Sequence, residues 1–140
     1  MAGSTEFDLV KIGKVISDIK KYYADFEKLG IKDSMDYKTF YAASMLVFSL
    51  INSAIDLGNE IISAKHFEFP AYYDSVFEIL FKNKIIDKKT SSNLIYLVRI
   101  RNAISHRYFS ITENELIKAS RLLDSVLKLA DITKKLADKK

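Results

Sequence analysis

"AASMLVFSLINSAIDLG", residues 42–58, holds a single charge, Asp56. A helix that is apolar on nearly all sides belongs at the centre of a bundle. This stretch therefore decides the fold: a central helix over about 37–63, with the other elements wrapped around it.

Outward from that centre the period stays helical. A first helix is expected over about 7–29, with Ile12, Val15, Ile16, Ile19, Tyr22, Tyr23 and Phe26 as its apolar stripe. Gly30 suits its stop, because glycine accepts a left-handed backbone. The run "AKHFEFPAYY", residues 64–73, breaks the pattern, with Pro70 as punctuation. A short third helix over about 71–82 and a fourth over about 88–107 follow. Thr112 and Glu115 then match a capping box, with Ile111 and Leu116 as a hydrophobic staple, and open a fifth helix through Leu123, Val126, Leu127 and Ala130. The expected fold class is all-α, an up-and-down bundle of four to five helices.

The totals agree. The 140 residues suit one domain, assigned to 7–138, with 1–6 as a flexible start or expression remnant. No signal peptide is evident and no apolar run looks long enough to span a bilayer, so a cytoplasmic protein is expected. Cysteine is absent, which excludes disulfides and thiolate metal sites. The two histidines and scattered carboxylates show no metal-ligand spacing, and there is no glycine-rich phosphate loop; neither metal nor cofactor is expected. A net charge of +4 permits a polyanionic partner without demonstrating one. Lysine supplies most of that charge, whereas three of the four arginines, Arg99, Arg101 and Arg107, fall within nine residues.

That arginine cluster marks the anomaly in the fourth helix, "RNAISHRY", residues 101–108. The stripe runs Leu94, Leu97, Val98, then position 101, then Ile104; position 101 is a core slot by spacing and holds arginine. Desolvating an unpartnered guanidinium costs several kcal/mol, on the order given for buried ions. Arg101 must then meet an anion, a wet cleft or another subunit. Asp56 on the central helix is the simplest salt-bridge partner, and the polar row Ser49, Asn52, Asp56, Asn59, Ser63 either faces the fourth helix and orients Arg101 or forms the solvent side. Asn102 and His106 are four apart and share an edge. Arg101 and His106 are five apart, roughly 140° around a straight helix. A bent arginine side chain, a helix deformed near its end, or a second copy of the chain would each reconcile them. The favoured reading is a two-fold dimer with two arginines and two histidines around one cleft. His66 reads as a loop residue beside Phe67 and Phe69.

"RNAISHRYF" resembles the signature of HEPN domains, and its closer form, Arg-x-x-x-x-His-x-Tyr, resembles the HepT toxins of HepT/MntA type VII toxin–antitoxin pairs. The similarity extends over about 7–135, including "AIDLGNEII" in the second helix, the interrupted third helix and "HRYFSI" before the last one. The resemblance implies a dimeric, metal-independent endoribonuclease acting on tRNA or mRNA. Its catalytic residues would be Arg101 and His106, with Asn102 as the polar follower; Asp56 is expected as a supporting residue from its place on the central helix, not from the resemblance. It also implies a nucleotidyltransferase antitoxin that silences the toxin by adding AMP to Tyr108.

The residue types fit that chemistry. RNA cleaves when its 2′-OH attacks the neighbouring phosphate. A histidine, with an ordinary pKa of about 6.5, can take or give the proton at cellular pH. An arginine fork can hold the phosphate as charge grows on it. Two readings compete with catalysis: a non-catalytic helical module that binds a nucleotidyltransferase or a nucleotide through the same cleft, and a plain dimerisation bundle.

Overall fold

In the computed structural model, which describes residues 6–106 and 110–139, six helical segments follow one another: α1 (Leu9–Lys28), α2 (Tyr37–Lys65), α3 (Tyr73–Lys82), α4 (Lys88–Ser105), α5 (Glu113–Ser120) and α6 (Asp124–Asp138). The single last helix expected from the sequence is divided at 121–123. There the amides of Leu122, Ser125 and Val126 donate three residues back, tightening the path by about one turn. Counted as one interrupted element, α5 and α6 give the five-helix all-α bundle.

α2 packs against every other helix. Val47, Leu50, Ile51, Ala54, Leu57 and Ile61 are wholly inaccessible to solvent, as a central helix requires. With 29 residues it is also long and apolar enough, by length and composition alone, to cross a membrane. The expectation that no apolar run reaches that length is corrected here: the apolar run 42–58 is prolonged at both ends by helical residues, from Tyr37 to Lys65, and the helix as a whole meets the length. It contacts all five other helices, and half of its most apolar stretch is buried, while Tyr37, Tyr41 and Met45 are exposed.

The boundaries follow from local chemistry. Asp8, Asp36 and Asp87 each cap a helix by accepting from the backbone N–H three residues on. Thr112 and Glu115 form the capping box in both directions, at 3.1 and 2.9 Å. Gly30 takes φ +60 after α1, as expected of a helix stop. α2 and α3 stop instead on non-glycine residues in the left-handed region, His66 (φ 57) and Lys84 (φ 62). The next amides, of Phe67 and Ile85, reach back to the carbonyls of Ile62 and Leu80. Gly58 is explained by packing: a Cβ there would collide with Val76 of α3, so glycine lets α3 close on α2.

Asp87 anchors the start of the motif helix and makes its stability pH-dependent. Hydrogen bonds from Thr90, and then from Lys128, hold its carboxyl down to about 2. The folded pKa lies below the unfolded value of about 3.9, so this stabilisation is complete above that value and is lost as pH falls toward 2. Asp87→Asn keeps a capping oxygen but cannot titrate. Thermal melts between pH 5 and 2 should show the wild-type midpoint falling more steeply than that of Asp87→Asn; parallel curves would contradict this assignment.

Candidate functional site

Arg101 sits in the last turns of α4, half-buried at the seam with α2 and the start of α3. Its Nε donates to Asn52 Oδ1 at 2.6 Å, and one terminal nitrogen donates to Asn102 Oδ1 at 3.1 Å. The guanidinium carbon lies 5.1 Å from the Phe48 ring centroid and 4.6 Å from that of Tyr73. Ring faces are favourable neighbours for a flat cation. The side chain is thus oriented by α2 through Asn52 and Phe48, by its own helix through Asn102, and by α3 through Tyr73.

These partners carry no negative charge. Among the described residues no carboxylate forms an ion pair with Arg101. A guanidinium has five N–H donors, and the two hydrogen bonds use two of them. Among the described residues, the arginine is held in place with its charge uncompensated and one edge unspent.

Asp56 is not the partner of Arg101. It lies about 40° around α2 from Asn52 at 100° per residue, and its charged neighbours are Lys11 of α1 and Glu60. Partial desolvation raises its carboxyl pKa, Lys11 opposes the rise and Glu60 adds to it. Lys11 itself forms an ion pair with Glu60 at 3.1 Å. The polar row on α2 therefore divides. Asn52 orients Arg101, Asp56 turns toward α1, and Asn59 and Ser63 line a cleft beyond Tyr73.

His106 ends α4. Its backbone N–H still donates to Asn102 O at 3.2 Å, but its own φ −65, ψ 144 is extended. The chain leaves the helix at this residue, so α4 ends at Ser105, two residues earlier than expected. The 140° separation assumed a straight helix and does not apply to an imidazole beyond the helix end. The side chain is exposed and makes no hydrogen bond to Arg101 or Asn102. Arg101 and Asn102 are thus brought together, and His106 stands apart from them within one chain. Tyr108, the expected AMP acceptor, and Arg107 lie outside the described residues. No group of three or more His, Asp or Glu able to hold a metal occurs among the described residues.

Sequence reasoning did not find Phe48 and Tyr73 as the slot around Arg101. Phe48 and Asn52 are four apart on one ridge of α2, so pairing the polar row with its aromatic neighbour would have exposed half of the slot. Tyr73 carried no such signal, since its position depends on how α3 closes over Gly58.

The site and the bundle together define an all-α protein of HEPN-like fold. A chain of a mutant MntA–HpeT toxin–antitoxin complex shares that fold with a TM-score of 0.79, at 20% identity over 89% of this chain and 98% of that one. The tri-AMPylated HEPN toxin of Shewanella oneidensis, in complex with its MNT antitoxin, superposes with a TM-score of 0.80, at 20% identity over 89% and 96% of the two chains. YutE from Bacillus subtilis, a cytosolic protein of unknown function, gives 0.75 at 22% identity over 92% and 90%. No curated protein matches the sequence significantly. The chain belongs to the HepT-like ribonuclease family, whose model matches residues 12–132.

Proposed function

We propose that this protein is the endoribonuclease toxin of a type VII toxin–antitoxin pair, cytoplasmic, and active as a homodimer whose two motif helices border one RNA-binding cleft. The observation that carries the reading is the guanidinium of Arg101, fixed by neutral acceptors and aromatic faces, with no carboxylate among the described residues to neutralise it. A charge taken out of water in a purely structural role is as a rule paired with an opposite one. Among the described residues this one keeps a free charged edge, which suits a phosphodiester.

In this mechanism Arg101 holds the scissile phosphate and stabilises the charge that builds on its oxygens. The ribose 2′-OH attacks phosphorus, the bond to the 5′-oxygen breaks, and a 2′,3′-cyclic phosphate and a free 5′-OH result. One His106 accepts the 2′-OH proton, and His106 of the second protomer gives a proton to the leaving oxygen. One imidazole cannot be acid and base in the same step, and the exposed position of His106 beyond the helix end leaves it accessible to a second copy. The tRNA or mRNA target is unpaired at the cut, because the attacking oxygen must come in line with the leaving one.

Tyr108 follows His106 by two residues. AMP on its hydroxyl, transferred by a partner nucleotidyltransferase, would bring a phosphate and a purine beside the motif arginines and silence the site. The complexes of structurally similar chains with toxin–antitoxin partners support this regulatory reading.

Purified protein should cut single-stranded RNA in the presence of EDTA, leaving cyclic or 3′-phosphate ends, and should leave the all-deoxy strand intact. Intact RNA after incubation with protein unmodified at Tyr108 would favour a non-catalytic binding module.

A further inference from the structure

Tyr73 has two neighbours. One side of its ring carries the Arg101 guanidinium; the residue also lines a cleft of about 620 Å³ between the second half of α2 and the α2–α3 connection. That volume falls within the range of small-molecule sites. Asn59 and Ser63 of α2 supply polar groups along one wall, and Phe69 and Tyr72 supply rings along another. These rings are not core residues, since Phe69 is 95% and Tyr72 76% exposed. The one carboxylate at the wall, Glu60, is held by Lys11, which tempers its repulsion of a phosphate chain.

We infer that this cleft is a nucleobase subsite: it receives an unpaired base flanking the phosphate held by Arg101, by stacking on Phe69 and Tyr72 with Asn59 and Ser63 at the base edge. The inference rests on the ribonuclease reading of Arg101 and adds the part of the substrate that the arginine cannot recognise. Continuity is the main argument. A single residue, Tyr73, is both the wall of the cleft and the floor under the guanidinium, so a strand gripped at Arg101 has its neighbouring nucleotide at the cleft mouth. Chemistry is the second argument. Exposed rings beside a fixed cation are the combination by which single strands are bound, the cation tracking the backbone and the rings taking the bases. Phe67 of this loop packs against the core, whereas Phe69 and Tyr72 do not, so their exposure has no packing role to explain it.

The test uses full-length protein carrying His106→Ala, so that RNA is bound without being cut. The probes are a fluorescein-labelled single-stranded RNA, the same strand with abasic positions, and a fully paired duplex. The single strand should bind more tightly than both others. Phe69→Ala combined with Tyr72→Ala should weaken the single strand by about tenfold or more, as expected for one stacked base. The abasic strand, held through phosphates, should be unaffected by those two changes. Phe69→Tyr should restore most of the loss. Both residues are exposed, so circular dichroism should show an unchanged fold. Equal binding of base-bearing and abasic strands, both weakened by Arg101→Lys, would overturn the subsite while leaving the Arg101 site standing. No RNA binding by any probe would overturn both.

Discussion

Arg101→Lys is expected to lower RNA cleavage by about 10²–10³-fold, the range seen when one donor to a developing anionic charge is removed. The substitution keeps the positive charge and removes the geometry. The guanidinium uses Nε for Asn52 and one terminal nitrogen for Asn102, so its remaining N–H groups point in a fixed direction. It is flat, and it lies over the rings of Phe48 and Tyr73. An ammonium on a flexible stem has neither a second edge nor a planar face. Stability should change little, because the position is half-buried and lysine can still donate to Asn52; a shift of the melting midpoint beyond the few degrees expected for about 1 kcal/mol would point to a structural arginine instead. Cleavage rates by gel, beside thermal melts on the same samples, separate the two outcomes.

His106→Ala is expected to abolish cleavage to a similar or greater extent, about 10²–10⁴-fold, as for loss of a general acid–base group. Here too the fold should be untouched. The side chain is exposed and makes no hydrogen bond among the described residues, and the backbone N–H that closes α4 on Asn102 is kept by alanine. Binding of RNA should survive, since in the proposed mechanism the phosphate is held by Arg101. A variant that still cleaves at a tenth of the wild-type rate would remove His106 from the chemistry.

How far the fold could be read depended on whether the signal was local. The central helix was legible because its interior residues are apolar on every side, and the Thr112–Glu115 box because both of its bonds lie within four residues. The caps at Asp8, Asp36 and Asp87 carry the same kind of local signal, an aspartate just before each stripe. The turn at 121–123 had none, because Leu122 and Leu123 continue an apolar pattern through it. At the site, the helical period showed that Arg101 occupies a core slot. It could not choose between Asn52 and Asp56, which differ by about 40° around α2; only the placement of α1, with Lys11, drew Asp56 aside. The early end of α4 was equally hidden, since "AISH" is compatible with a continuing helix.

The central claim, that two protomers share one cutting cleft, is tested most directly by mixing. Wild-type protein is exchanged with increasing fractions of His106→Ala chains, at constant total concentration, and the initial rate of RNA cleavage is measured. If both imidazoles of a dimer are required, an equal mixture retains about one quarter of the wild-type rate, since only dimers with two intact chains cut. A rate of about one half at equal mixing, falling in proportion to the wild-type fraction, would mean that each chain cuts alone and would contradict the shared cleft.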